Sequence, residues 1–406
     1  MAALFGMAGA AAVHAEEAAG EPKPYRPVEW TRGIFFHTED DAVQVRAGGY
    51  LQYDGRFYLD DGQNLGTDTF LMRRVRLIFD ASFYQRFDVR IAPDFGQGKT
   101  VLFDSYVDVK FDPVLKLRVG KFKPPVGLER LQSATNLVFV ERGLPTNLVP
   151  NRDVGAQFYG DVGEGVLSYA LGLFNGVPDG GNGDVDTNDG KDSVARLFFR
   201  PFKRTSMAGL RGLGVGVAGS RGSQAGALPS YVTAGQLTFF KYAAAAVAAG
   251  KHTRIAPQLY YYAGPFGLLG EYVVVKQEVA DGAARGLLSQ EAWQAAASFV
   301  VTGEKASYDG VTPKRPLGPK GGGIGAIEIA VRANQFRVDD RAFPAFADLA
   351  ASARRARAWG GGVNWYLNPY VKFMLDYEQT RFDRGAAAPQ DREEEKVILF
   401  RLQISS

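Results

Sequence analysis

Between Lys121 and Arg152 the chain carries five cations, Lys121, Lys123, Arg130, Arg142 and Arg152, against two carboxylates, Glu129 and Glu141. The resulting net charge of +3 equals that of the entire 406-residue chain, which has 47 basic and 44 acidic residues. Such a cluster suits an anion that must enter a narrow passage. The anion loses hydration there, and cationic side chains replace it. Arginine matches phosphate oxygens with a planar fork, whereas lysine acts as a point charge. The cations must be several and spaced, so that no single site traps the ion. Leu128, Leu131, Leu137, Val138, Phe139 and Val140 give the segment enough apolar surface to fold against a wall. A solvent-facing loop with hydrated charges is the alternative.

The elements that would position such a cluster are strands. In Met72 to Phe83, Val75, Leu77, Phe79, Ala81 and Phe83 share one face, and Arg74, Arg76, Asp80 and Ser82 share the other. Phe87, Val89 and Ile91 likewise oppose Asp88, Arg90 and Asp94. Val101, Phe103, Val107, Val109 and Phe111 oppose Asp104, Tyr106, Asp108, Lys110 and Asp112. No helical stripe accompanies this pattern. A soluble sandwich would bury the apolar face; a membrane barrel would turn it to lipid. Strands of about 10 residues, aromatic residues at strand ends and alternating short and long connections favour the barrel. The short turns are expected near residues 84–86, 112–114, 161–165, 264–267 and 368–369. The long loops are expected at 60–68, 123–151, 177–191, 280–288, 335–357 and 383–395. An even strand count requires Ala234 to Lys241 to belong to a long loop, leaving sixteen strands with 42–59 and 394–404 as closing neighbours. The connection 303–322 is long on the side where the others are short.

The expected fold is therefore all-β: a sixteen-stranded transmembrane antiparallel barrel over residues 42–405, with no internal domain boundary. Residues 1–15, uncharged and ending in Val13-His14-Ala15, read as a signal peptide, and 16–41 as a short polar lead. On the barrel reading Arg74, Arg76, Arg90, Arg196, Arg200, Arg254, Arg332 and Arg401 face inward and add to the cationic series. Asp54, Asp80 or Asp108 could instead neutralise any one of them. Asp94 either modulates anion residence or pairs with an arginine, and Tyr106 can donate its hydroxyl to an anion.

Composition narrows the chemistry further. There is no cysteine and only three histidines, which excludes disulfide scaffolds and cysteine-based metal or redox sites. No Ser, His and acid fall on one strand face, so no catalytic residues are assigned and an enzyme is not expected. The acidic stretch 179–190 lacks the final Glu of an EF-hand, and neither a metal site nor a cofactor is expected. The interspersed charge also argues against a nucleic-acid partner.

Several segments carry a family likeness: FLMRRVRLIFDASF at 70–83, LRVGKFKPPVGLERLQSATNLVFVERGLP at 117–145 and PQLYYYAGPFGLLGEYVVV at 257–275. TGEKASYDGVTP at 302–313 and NWYLNPYVKFMLDYEQT at 364–380 continue it. Together they resemble the phosphate-selective porin O and P family. The resemblance implies a homotrimeric channel in outer-membrane lipid whose long loop dips inward to form a Lys/Arg-lined constriction favouring inorganic phosphate or other small anions. Lys121, Lys123 and Arg130 are then expected as the narrowest ring, with Arg142 and Arg152 nearby. The last residues, KVILFRLQISS, end in Ser where an aromatic residue would be usual. A general porin, a barrel enzyme and a soluble polyanion-binding β-protein are the alternative readings.

Overall fold

The period-two pattern produces strands because each can satisfy its backbone only by pairing sideways, and sixteen of them do so in a ring. The computed structural model describes residues 28–30, 33–186, 188–318, 321–384 and 392–406. The barrel strands are β1 (Val43–Leu59), β2 (Thr69–Phe83), β3 (Phe87–Asp94), β4 (Val101–Asp112), β5 (Leu115–Phe122), β6 (Asp153–Val162), β7 (Leu167–Phe174) and β8 (Asp192–Phe199). They continue as β9 (Leu213–Ala227), β10 (Val247–Ala263), β11 (Phe266–Asp281), β12 (Ala284–Val300), β13 (Ala326–Arg337), β14 (Ala353–Tyr366), β15 (Val371–Arg384) and β16 (Glu395–Ser405). Each pairs antiparallel with the next. β16 pairs with β1 from Lys396 opposite Leu59 to Ser405 opposite Tyr50, so the sheet closes without a free edge. The expected closing pair is the one observed.

The faces sort as the alternation requires. Leu77, Phe79, Ile91 and Val119 on neighbouring strands are 44–49 % exposed, while Arg74 and Arg76 are 7 % and 6 % exposed. A barrel that hides arginine and displays phenylalanine has its apolar solvent outside. Aromatic residues at the strand ends, Tyr84, Phe111, Trp359 and Trp365, stay on that outer surface. Tyr260, Tyr262 and Tyr366, also at strand ends, instead turn inward. Tyr366 donates to Glu328, and Tyr260 packs 5.6 Å from Tyr308.

One connection and one strand position differ from expectation. Residues 280–288 form no long loop: β11 and β12 run to a two-residue hairpin at Gly282 and Ala283, where Asp281-Gly282 supplies the positive φ of a tight turn. The connection between β12 and β13 is long, and its residues 306–311 turn into the barrel. Ala306 and Val311 are buried, and the Tyr308 hydroxyl donates to the Leu128 carbonyl. Phe103 faces inward and not outward, because a bulge opposite Ala92 and Pro93 reverses the alternation there. Residues 234–241 add no barrel strand. They pair in a small hairpin with Tyr231–Val232, and Phe239 packs 5.2 Å from Phe336 on the inner wall. Replacing Tyr308 by Phe removes the bond to Leu128 and keeps the ring, a loss of about 1 kcal/mol. Open-channel current noise should rise while ion selectivity stays unchanged.

The expected signal segment 1–15 and residues 16–27 of the lead lie outside the described residues. The rest of the lead contains two short strands, Val28–Trp30 and Ile34–His37, and the second extends the sheet along β1 below β16.

Candidate functional site: a cationic passage inside the barrel

The segment between β5 and β6 lies against the inner wall, and the contacts that hold it come from acidic, amide and lysine side chains. Gly127, with φ of +82°, turns the chain, and any Cβ there would meet Val149 at 2.9 Å. The turn leads into a short helix, Leu128–Leu131. The Leu128 N–H donates to Glu271 at 2.6 Å and the Val140 N–H to Asp376 at 2.5 Å. Asn364 donates to the Val138 carbonyl, Lys372 to that of Leu137 and Gln52 to that of Ala134. These anchors belong to β1, β11, β14 and β15, so the segment is tied to widely separated strands. Val126, Leu128, Leu137, Phe139, Val140 and Leu148 are at most 2 % exposed.

The wall beside β1 is basic. A bulge between β1 and β2 lets Arg73 turn inward beside Arg74 and Arg76, breaking the alternation that would have placed it in lipid. Arg73 donates to Glu141 of the loop at 2.5 and 3.2 Å. Arg56 and Arg401 also approach that carboxylate, at 3.6 and 3.8 Å. Burial alone would raise the Glu141 pKa, but Arg73 and Arg74 hold it well below the usual carboxylate range.

The cations divide by partner. Arg76 is paired with Asp94 at 2.7 Å, Arg90 with Asp80 at 2.6 Å and Arg152 with Asp104 at 3.0 Å. Arg332 is sealed behind the loop, bonded to Glu378 and lying 4.3 Å from the Phe139 ring. Four others have only neutral hydrogen-bond partners. Arg74 donates to Gln52 at 2.6 Å, and Lys123 to the carbonyls of Leu131 and Gln132 at 3.1 and 2.8 Å. Arg130 donates to the Thr146 carbonyl and Asn151, and Arg142 to the carbonyls of Glu129 and Gln132. Among the described residues none of these four forms an ion pair.

Two cavities flank them. One of about 380 Å³, toward the long-loop end, is lined by Arg73, Arg74, Arg130, Arg142 and Asn151. The other, about 400 Å³ and toward the short-turn end, is lined by Arg76, Arg90, Tyr106, Arg118, Lys123 and Arg152. Aromatic rings fix several guanidiniums. Arg76 and Arg152 lie 4.0 and 5.0 Å from the Phe103 centroid, and Arg118 lies 3.9 Å from that of Tyr106. Arg196, bonded to Gln258, also borders the second cavity.

Of the residues singled out in the sequence, Lys123, Arg130, Arg142 and Arg74 come together without direct carboxylate partners, although Glu141 and Asp179 line the cavity that holds three of them. Arg76, Arg90 and Arg152 line the same path with carboxylates. Lys121 does not join them. It stands in β5 between Gly120 and the inward Phe122, on the side of Ser105 and Val154, and its ammonium pairs with Asp184. Asp94 serves Arg76 and also accepts from the N–H groups of Val75 and Gly96. Three of the four acids in the 179–190 stretch are matched to cations: Asp179 to Arg254, Asp184 to Lys121 and Asp186 to Lys191. Sequence reasoning missed Arg73 and Arg118. Alternation with Leu117 and Val119 would have found Arg118.

A closed barrel of sixteen antiparallel strands, apolar outside and charged within, is an outer-membrane channel of the porin class. The model of the phosphate-selective porin O and P family matches residues 45–405, and the chain belongs to that family. Porin O of Pseudomonas aeruginosa is 25 % identical over 399 residues, covering 87 % of this chain and 86 % of its own. The outer-membrane channel DcaP of Acinetobacter baumannii superposes with a TM-score of 0.59 at 9 % identity, over 93 % of this chain and all of its own. An OmpF of Salmonella typhi gives 0.56 at 11 % identity, over 91 % of this chain and all of its own. The protein resides in the Gram-negative outer membrane.

Proposed function

We propose that the porin is anion-selective, that the loop between β5 and β6 forms its constriction, and that phosphate or short polyphosphate is the solute taken up by passive diffusion. One observation carries the reading: Lys123, Arg130, Arg142 and Arg74 border the path with neutral partners only. A cation already neutralised by a carboxylate offers little to a passing ion, whereas one held by carbonyls has no direct counter-charge to cancel its own. The family's description supports phosphate as the solute. A trimeric assembly is the expected state, with support from a Vibrio cholerae OmpT, described in a trimer form, that superposes with a TM-score of 0.54.

The test is single-channel recording of the purified protein, with reversal potential read under a KCl gradient and phosphate then added. Anion-biased reversal with phosphate block of chloride current is expected. Cation-biased reversal sinks the anion reading, and anion bias without phosphate block leaves a general anion pore. The pH dependence sharpens the test. Burial, and after it the charges of Arg152 and Arg142, pushes the Lys123 ammonium well below the ordinary lysine range. Raising the pH toward the ordinary lysine range therefore discharges Lys123 ahead of ordinary lysines. Anion selectivity should fall over that rise, while Lys123→Arg should hold it level.

A further inference from the structure

Outside the channel, at the long-loop end of the lipid-facing wall, arginines stand directly opposite one another. On the antiparallel ladders Arg337 of β13 faces Arg355 of β14, and Arg357 of β14 faces Arg381 of β15. Their parity is that of Ile329, Val331, Trp359, Val363 and Leu375, which are 45–63 % exposed on the outer face. All four therefore point away from the lumen. Like charges directly opposite on a sheet are destabilising, so two such pairs side by side call for compensation. The protein supplies it incompletely. Asp383 is shared by Arg355, at 3.3 Å, and Arg357, while Arg337 has only 3.6 Å contacts to Glu291 and Asp340. Arg381 pairs with Glu394 yet remains 65 % exposed, and the Arg355 Nε has no hydrogen-bond partner.

The height of this row is fixed by its neighbours. Trp359, two residues below Arg357, packs 5.5 Å from Tyr377, and Trp293 and Tyr272 continue the aromatic level on β12 and β11. Amphipathic rings mark the boundary between hydrocarbon and headgroups. The arginines thus sit at headgroup depth in the outer leaflet, where guanidinium forks meet phosphate.

We propose that Arg337, Arg355, Arg357 and Arg381 form a docking site for the phosphates of a bisphosphorylated glycolipid of the outer leaflet. The acyl chains lie against Val331 and Val363 below, and the phosphates between the opposed guanidiniums relieve their repulsion. This site is separate from the channel. It binds phosphate anchored in the membrane, not the solute that the lumen passes.

The experiment uses the full-length porin in detergent and native mass spectrometry with lipid A added in bisphosphorylated and dephosphorylated forms. The bisphosphorylated form is expected to bind at least about tenfold more tightly, by charge-assisted contacts that the dephosphorylated form lacks. Arg357→Gln with Arg381→Gln should remove that preference and leave chloride conductance unchanged. The comparison of the two lipids on the unsubstituted protein needs no variant to fold. Equal binding of both forms, retention of the preference in the double variant, or displacement of the lipid by millimolar inorganic phosphate would overturn the proposal.

Discussion

Exchanging Lys123 and Arg130 together for Gln weakens phosphate block of the chloride current by about a hundredfold, whereas Lys121→Gln changes it by less than about twofold. A unit charge roughly 8 Å from the anion contributes about 2 kcal/mol at an effective dielectric near 20. Salt screening reduces this to roughly a tenfold change in block per charge. Lys123 and Arg130 each keep neutral partners beside the path, whereas Lys121 is committed to Asp184. The effect should grow as ionic strength falls. Block that survives the double exchange, or that is lost in Lys121→Gln, would place the filter elsewhere.

Glu141→Gln is expected to be the most damaging single change within the loop. Its carboxylate is approached by Arg73, Arg56 and Arg401, and it is 4 % exposed. Removing one partner of a buried ionic network costs about 3–5 kcal/mol, because the remaining charges are left uncompensated. The unfolding temperature of the detergent-solubilised barrel should drop, and conductance of assembled channels should change as the loop leaves the wall. Adding Arg73→Met should recover part of the stability by deleting one of the stranded cations. If Glu141→Gln leaves both the unfolding temperature and the conductance unchanged, the ion cluster does not hold the loop.

Much of the architecture is legible in the amino-acid order because lipid imposes a strict alternation on any strand that crosses it. Leu77, Phe79 and Ile91 identify the outer face, and Arg74, Arg76 and Arg90 the inner one. The alternation fails where a strand gains a residue. Arg73 and Phe103 sit at bulges, and both turn inward against their parity. An arginine pair at 73–74 was itself a signal, since strict alternation would leave one guanidinium in hydrocarbon. The hairpin at Asp281-Gly282 was legible as turn chemistry, but length alternation pointed to a loop.

What the local pattern cannot show is which cations keep their charge. Arg76 and Arg90 meet carboxylates on the adjacent strand, within about one turn of the chain's path, at Asp94 and Asp80. Arg73 meets Glu141 from 68 residues away, and Leu128 is held by Glu271 from 143 residues away. Such pairings depend on barrel closure and loop placement together. Glu271 and Asp376 read locally as inward acids. Only their contacts with the Leu128 and Val140 N–H groups reveal that they hold the loop and leave the passage to the cations.

The four cations bonded only to neutral groups have a kinetic consequence. On the proposed anion-selective reading, Glu141, Asp179 and Asp104 on the cavity walls offset only part of their charge, and mobile anions from the bath supply the remainder within about a Debye length, roughly 8–10 Å. Concentrated into cavities of about 380 and 400 Å³, they reach a local density on the order of several moles per litre. The resting pore is accordingly an occupied queue, and an arriving ion advances by displacing the one ahead. Inward and outward fluxes are then coupled, and current saturates at bath concentrations far below those that would fill an uncharged tube.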